Sequence, residues 1–263
     1  MFAHLDALHA LAGLLVGFLV GLTGVGGGSL MTPVLVLLFG ISPTTAVGTD
    51  LLFAACTKIA GSTVHGWRGT VDWAIVRRLA SGSVPAAVVT LVIVSGLGHP
   101  PRAASHTMLM ILGVMLILTA VATLFQQGLA RLAGRLARWL GHRAGTTLAW
   151  PTMLLGALLG VAVTMSSVGA GAIGVTALLM LYPALRVSRI VGSDIAHAVP
   201  LTLVAGFGHW IIGDVNMLLL VNLLIGSIPG VLVGSHLSTR SPDRVLRPVL
   251  AVVLLVSGYK LLA

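Results

Sequence analysis

The sequence predicts an all-α polytopic membrane protein built from two inverted repeats, each a Gly-broken helical hairpin followed by three transmembrane helices. Three observations predict it. Apolar residues make up 57% of the chain and charged residues only 8%, where soluble domains carry about a quarter charged. A set of short motifs occurs twice at one fixed spacing. The basic residues fall on one side of the membrane only if the two copies point in opposite directions.

Apolar runs occupy about 7–22, 29–40, 44–64, 74–98 and 104–125, then 147–165, 171–182, 189–212, 216–236 and 245–262. Most are near the 20 residues that span a bilayer. Runs 29–40 and 171–182 are short, and each follows a Gly-rich break, so each is expected to be a half-length or tilted helix. The stretch 126–146 differs. Arg131, Arg135, Arg138 and Arg143 alternate with Leu132, Leu136, Trp139 and Leu140, the pattern of an amphipathic helix on a cytoplasmic membrane surface. The expected organisation is a first repeat over 1–125, a linker over 126–146 and a second repeat over 147–263.

The repeat is legible residue by residue. Val47-Gly48-Thr49-Asp50 returns as Val191-Gly192-Ser193-Asp194, and His65 returns as His209. Gly69-Thr70-Val71-Asp72 returns as Gly213-Asp214-Val215-Asn216, and Gly82-Ser83-Val84-Pro85 as Gly226-Ser227-Ile228-Pro229. The offset is 144 residues throughout. The Gly-rich break Thr23–Gly28 matches Ser166–Gly171 at an offset of 143. If the breaks lay inside plain spans, the halves would be parallel, with eight basic residues inside and six outside. If each break turns the chain back, the halves are inverted, with twelve basic residues inside against Arg102 and Lys260 outside. The second arrangement obeys the positive-inside rule. It places both termini outside, in an integral membrane protein of the bacterial cytoplasmic (inner) membrane.

Several functions are excluded or disfavoured at this level. The net charge of +9 orients the protein and does not form an aromatic-interleaved basic patch, so no nucleic-acid partner is expected. The Gly cluster at 24–28 lacks the Lys-Ser/Thr ending of a phosphate loop, and GxGxxG is absent. One cysteine, Cys56, permits no intrachain disulfide and no metal spacing. No cofactor and no metal are expected. The N-terminus carries Asp6 and no basic residue before its apolar run, unlike a cleavable signal.

The candidate site is built from the two breaks. Thr23, Gly24, Gly26, Gly27, Gly28 and Ser29 on one side, with Ser166, Ser167, Gly169 and Gly171 on the other, offer hydroxyls and bare backbone N–H groups at helix N-termini. Such an arrangement suits an oxyanion, although Gly in membrane helices also serves close packing. Lys58 is the one basic residue in mid-span, where Thr202 takes the matching place in the second half. It is a candidate for substrate contact or for pairing with Asp50. Asp50 and Asp194 are candidates for proton coupling, with a helix-capping role as the alternative. His65 and His209 are further proton-carrier candidates, with a plain interfacial hydrogen bond as the alternative. His197 reads as a packed, satisfied histidine.

These residues resemble the sulfite exporter TauE/SafE family of membrane permeases. The likeness covers roughly 10–262. It is carried by the run from Gly21 to Pro33, the run from Ala46 to Leu52, and His65-Gly66-Trp67-Arg68-Gly69-Thr70-Val71-Asp72-Trp73. The resemblance implies two homologous halves and a secondary transporter, in the export direction, of small sulfur-containing anions such as sulfite or organosulfonates. Its partners would be the small oxyanion and membrane lipid, with a homodimer left open. An anion channel is the alternative function. An intramembrane enzyme is the less favoured one, since no nucleophile sits beside a base.

Overall fold

The computed structural model describes residues 6–23, 28–67, 69–96, 101–139, 148–237 and 243–263. Among them the chain is all helical: α1 Ala7–Thr23, α2 Gly28–Leu37, α3 Pro43–Trp67, α4 Trp73–Gly96, α5 Pro101–Trp139, α6 Ala149–Ser166, α7 Ala172–Leu181, α8 Val187–Ile212, α9 Met217–Leu237 and α10 Asp243–Leu262. Five of the helices are long and apolar enough to cross a membrane. The short runs appear as expected: α2 and α7 are each ten residues. α5 continues unbroken for 39 residues, so 126–139 extends that helix. At about 1.5 Å per residue it is far longer than a bilayer core, so its basic end projects beyond the hydrocarbon.

The helices pack in pairs that exchange under the 144-residue offset. α1 lies on α9, and its counterpart α6 lies on α4. α3 packs on α8, and α5 on α10. Both crossings of the first kind are parallel: Gly13 meets Leu223 and Gly17 meets Ser227, while Gly156 meets Leu79 and Gly160 meets Ser83. Gly226, Gly230 and Gly234 recur every fourth residue on α9 and press onto the backbone of α1. In a membrane, where burying apolar surface between helices yields little, such small-residue stripes give the backbone contact that holds helices together.

The two central crossings are antiparallel. Gly48 near the start of α3 meets His209 near the end of α8, and Leu52 meets Gly206. Gly113 of α5 meets Gly258 of α10, while Gln126 further along α5 bonds Arg247 at the start of α10. Large apolar side chains such as Trp150, Ile211 and Leu232 point outward, as a lipid-facing surface requires. The interior of α3 and α8 is polar by comparison and holds Asp50, Lys58, Asp194 and His197.

A Cβ at residue 226 would overlap the Ala10 carbonyl oxygen, whereas one at residue 96 meets nothing within 4 Å. Gly226→Ala is therefore expected to cost about 1–3 kcal/mol of stability by overpacking. Gly96→Ala should cost almost nothing. Thermal unfolding of the two variants in detergent, read by loss of the monodisperse chromatographic peak, checks the contrast.

Candidate functional site

The repeated Val-Gly-Thr/Ser-Asp motif has two parts with different tasks. Its Gly and hydroxyl residues clasp the opposite half. The Asp214 carbonyl approaches Gly48, and the Thr70 carbonyl approaches Gly192, each to 2.6 Å of where a Cβ would stand. Two residues on, the Asn216 N–H donates to Thr49 Oγ1 at 3.1 Å, and the Asp72 N–H donates to Ser193 Oγ at 2.8 Å. The same Asn216 and Asp72 side chains then accept from Leu219 and Ala74 N–H and cap α9 and α4. Arg189 adds an ion pair to Asp72 at 3.6 Å. Apart from that ion pair, each half secures the loop of the other by the same set of bonds.

The Asp of the motif faces inward. Asp50 and Asp194 are each the eighth residue of their helix, beyond the first turn, so neither caps its own N-terminus. Both are buried, at 0% and 1% exposure. Asp50 Oδ2 accepts from the Thr32 hydroxyl on α2. Ser167 of the second break faces the same carboxyl without completing a hydrogen bond. Asp194 takes a different position. It faces the Gly171 backbone at the N-terminus of α7, and a Cβ at residue 174 would overlap its Oδ1. The protein's own carboxylate therefore stands at the positive end of a half-length helix.

Lys58 completes the cluster. It is 4% exposed and within electrostatic reach of Asp194, Asp50 and His197. Among the described residues it makes no ion pair within 4 Å. Counting six residues from the Leu52–Gly206 contact in opposite directions puts Lys58 level with Pro200, near the middle of the α3–α8 crossing. Four buried polar atoms of α3, α8 and the second break have no hydrogen-bond partner among the described residues: Asp50 Oδ1, Asp194 Oδ1, Ser167 Oγ and His197 Nδ1. Buried polar groups are normally satisfied, so these orphans on the groups Lys58 acts on and beside Asp50 mark a place where a ligand or water belongs.

The second break has the geometry expected of an irregular cradle. α6 ends at Ser166, Ser167 takes φ 58°, and Gly169 and Gly171 take φ 123° and 128°. Those last two values are readily reached only by glycine. Ser166 and Ser167 are sorted by their bonds. Ser166 Oγ holds the loop, bonding Ala162 O at 2.7 Å and accepting from Val168 N–H at 3.1 Å. Ser167 Oγ is left over. Gly24, Gly26 and Gly27 of the first break lie outside the described residues, as do the side chains of Thr23 and His65. Gly28 and Ser29 open α2.

His209 has no open ring nitrogen. Its Nε2–H donates to the Thr164 carbonyl at 2.9 Å, and its Nδ1 meets Asp214 Oδ2 at 3.2 Å. Both ring nitrogens are used, and the residue ties the end of α8 to the last turn of α6. His197 is not the fully satisfied histidine expected: Nε2 pairs with Ser83 Oγ at 2.8 Å, but Nδ1 has no partner. Thr32 joins the site without having been singled out, since a threonine in an apolar run carries no sequence signal of its own. Its repeat counterpart Thr176 instead donates to the Ala122 carbonyl at 3.5 Å. No group of three or more potential metal ligands occurs among the described residues.

The family profile of sulfite exporter TauE/SafE matches residues 9–261. The chain is 40% identical over 260 residues to "Probable membrane transporter protein YjnA" of Bacillus subtilis, covering 96% of this chain and 98% of that one. It is 28% identical over 253 residues to "Probable membrane transporter protein YdhB" of the same organism, covering 94% and 96% respectively. No solved structure matches the chain. The chain belongs to the TauE/SafE family and is an integral membrane permease.

Thr49→Val and Ser193→Ala each leave an opposing backbone N–H without its acceptor. Each is expected to lower stability by about 1–3 kcal/mol, and by similar amounts. Ser81→Ala, which removes only an exposed bond to Arg78 O, should stay within about 0.5 kcal/mol. Denaturation midpoints of the purified variants provide the comparison.

Proposed function

We propose that this permease is a secondary carrier of small sulfur-containing anions, sulfite or an organosulfonate, which bind between the two halves beside Lys58. The halves are 1–125 and 147–263, joined by 126–146, and they lie inverted in the membrane. The antiparallel crossing of the equivalent helices α3 and α8 supports that inversion, because parallel repeats would cross in parallel. The twelve-to-two charge placement supports it independently.

One observation carries the functional reading: a buried ammonium lies within electrostatic reach of two buried carboxylates, one at the mouth of a half-helix, and each carboxylate has an oxygen with no partner among the described residues. Lys58, the Ser167 hydroxyl and the backbone N–H groups that open α7 are the donors an oxyanion needs. Ser166, Gly169 and Gly171 shape the loop that presents them. In the first break, Thr23, Gly24, Gly26, Gly27, Gly28 and Ser29 are assigned the matching role. With Lys58 charged and both carboxylates ionised, the cluster carries one net negative charge and repels an anion. One proton on Asp194 or Asp50 makes it neutral. A proton on Asp194 also removes the anionic charge that competes at the α7 N-terminus. Substrate and proton would therefore bind together and cross together. His65 and His209 are assigned at most a relay between this cluster and the surface.

Uptake of labelled sulfite into proteoliposomes, with and without a pH gradient, tests the assignment. Saturable flux that rises with an acid exterior is expected. Lys58→Gln should lower kcat/KM by about 10- to 150-fold, the loss of a charged hydrogen bond worth about 1.5–3 kcal/mol. Asp194→Asn should abolish the response to the gradient. Flux that does not saturate would favour the channel, and a gradient response that survives in Asp194→Asn would remove proton coupling through that residue.

A further inference from the structure

Among the described residues, the second repeat contains an opening beside its motif carboxylate. A cavity of about 80 Å³ lies among α5, α7, α8 and α10, with Asp194 at its floor. Its wall includes Val175 and Val191, and its rim carries Gln126 and Arg247, joined by a 2.9 Å bond from Arg247 Nη1 to Gln126 Oε1. Burial falls from floor to rim: Asp194 is 1% exposed, Arg247 and Gln126 are half-buried, and Val187 is 55% exposed. Four described positions that lie 144 residues earlier are fully packed. Met31, Val47, Asp50 and Leu51 stand where Val175, Val191, Asp194 and Ile195 stand in the second repeat, and all four are at 0%. At the position matching Arg247 the first repeat has Ala103.

We propose that this cavity is the open access path to the buried Lys58 cluster, that Met31 and Val47 form the closed counterpart, and that Arg247 is the residue that selects anions at the open mouth. The inference rests on the carrier reading above but not on the identity of its anion. Passage through the second-repeat cavity reaches Asp194 first. A cation at the rim raises the local concentration of anions and disfavours cations before either meets the carboxylate. Opening of the Met31–Val47 side, with closure of Val175 and Val191, gives the alternate state that two equivalent halves permit.

The test uses thiol labelling, which requires no substrate. Cys56→Ala removes the chain's one cysteine. Val191→Cys and Val47→Cys are then introduced singly into the purified protein. Membrane-impermeant methanethiosulfonates are applied, one anionic and one cationic. Val191→Cys should react at least about tenfold faster than Val47→Cys, since a fully packed thiol reacts only through an opening that costs free energy. Arg247→Gln should lower the ratio of anionic to cationic reaction rates at Val191→Cys several-fold, and Arg247→Lys should keep it. Equal rates at the two cysteines, or no reaction at either, would overturn the access path. An unchanged ratio in Arg247→Gln would overturn the role of Arg247. Absence of sulfite flux would count against the proposed substrate and leave these labelling results standing.

Discussion

The α3–α8 crossing is the constraint on which the rest of this structure depends. Two carboxylates and an ammonium inside a membrane protein are each costly when alone. Here one antiparallel helix pair sets Lys58 between the two carboxylates, along α3 from Asp50 and, by the Leu52–Gly206 register, level with Pro200 one to two turns from Asp194 on α8. The reciprocal clasp fixes its register: Thr49 and Ser193 each take a backbone N–H from the loop of the other half, and Gly48 and Gly192 let the loop carbonyl in. A slip of one residue would turn one helix by about 100° against the other and carry Asp194 away from Lys58. The glycine stripes of α1 on α9 and of α6 on α4 flank this centre.

Equivalence of the halves does not make the site symmetric. Asp50 is held by Thr32, while Asp194 stands at the start of α7. Lys58 has Thr202 as its counterpart, and His197 has Phe53. The sequence duplication thus supplies a frame with two equivalent helix ends, and substitutions at a few inward positions make one end different from the other. The cavity beside Asp194, where the matching Met31, Val47 and Asp50 are fully buried, is the geometric expression of that difference.

Much of the frame was legible in the sequence, because periodic apolar runs and fixed spacings report directly on helices and their equivalence. The short helices after the breaks appeared where the Gly-rich segments placed them. The roles of individual polar residues were less legible, because they depend on which neighbour each side chain meets. Asp50 and Asp194 read equally well as helix caps until their place two turns into α3 and α8 was known. Ser166 and Ser167 look alike in sequence, but the first is bonded into its own loop and the second is not. His209 repeats His65 in sequence, yet its two ring nitrogens serve Thr164 and Asp214. The orphaned Nδ1 of His197 could not be inferred from a lone histidine in an apolar run.

The central claim is that the α7 N-terminus, Ser167 and Lys58 form an anion site that the Asp194 carboxylate guards. A crystal structure at acid pH with selenite, an oxyanion heavier than sulfite, would test it most directly through anomalous scattering. The account predicts a selenium peak between Lys58 Nζ and the first backbone amides of α7, in contact with Ser167 Oγ. A peak only at the surface, or none at saturating selenite, would contradict it.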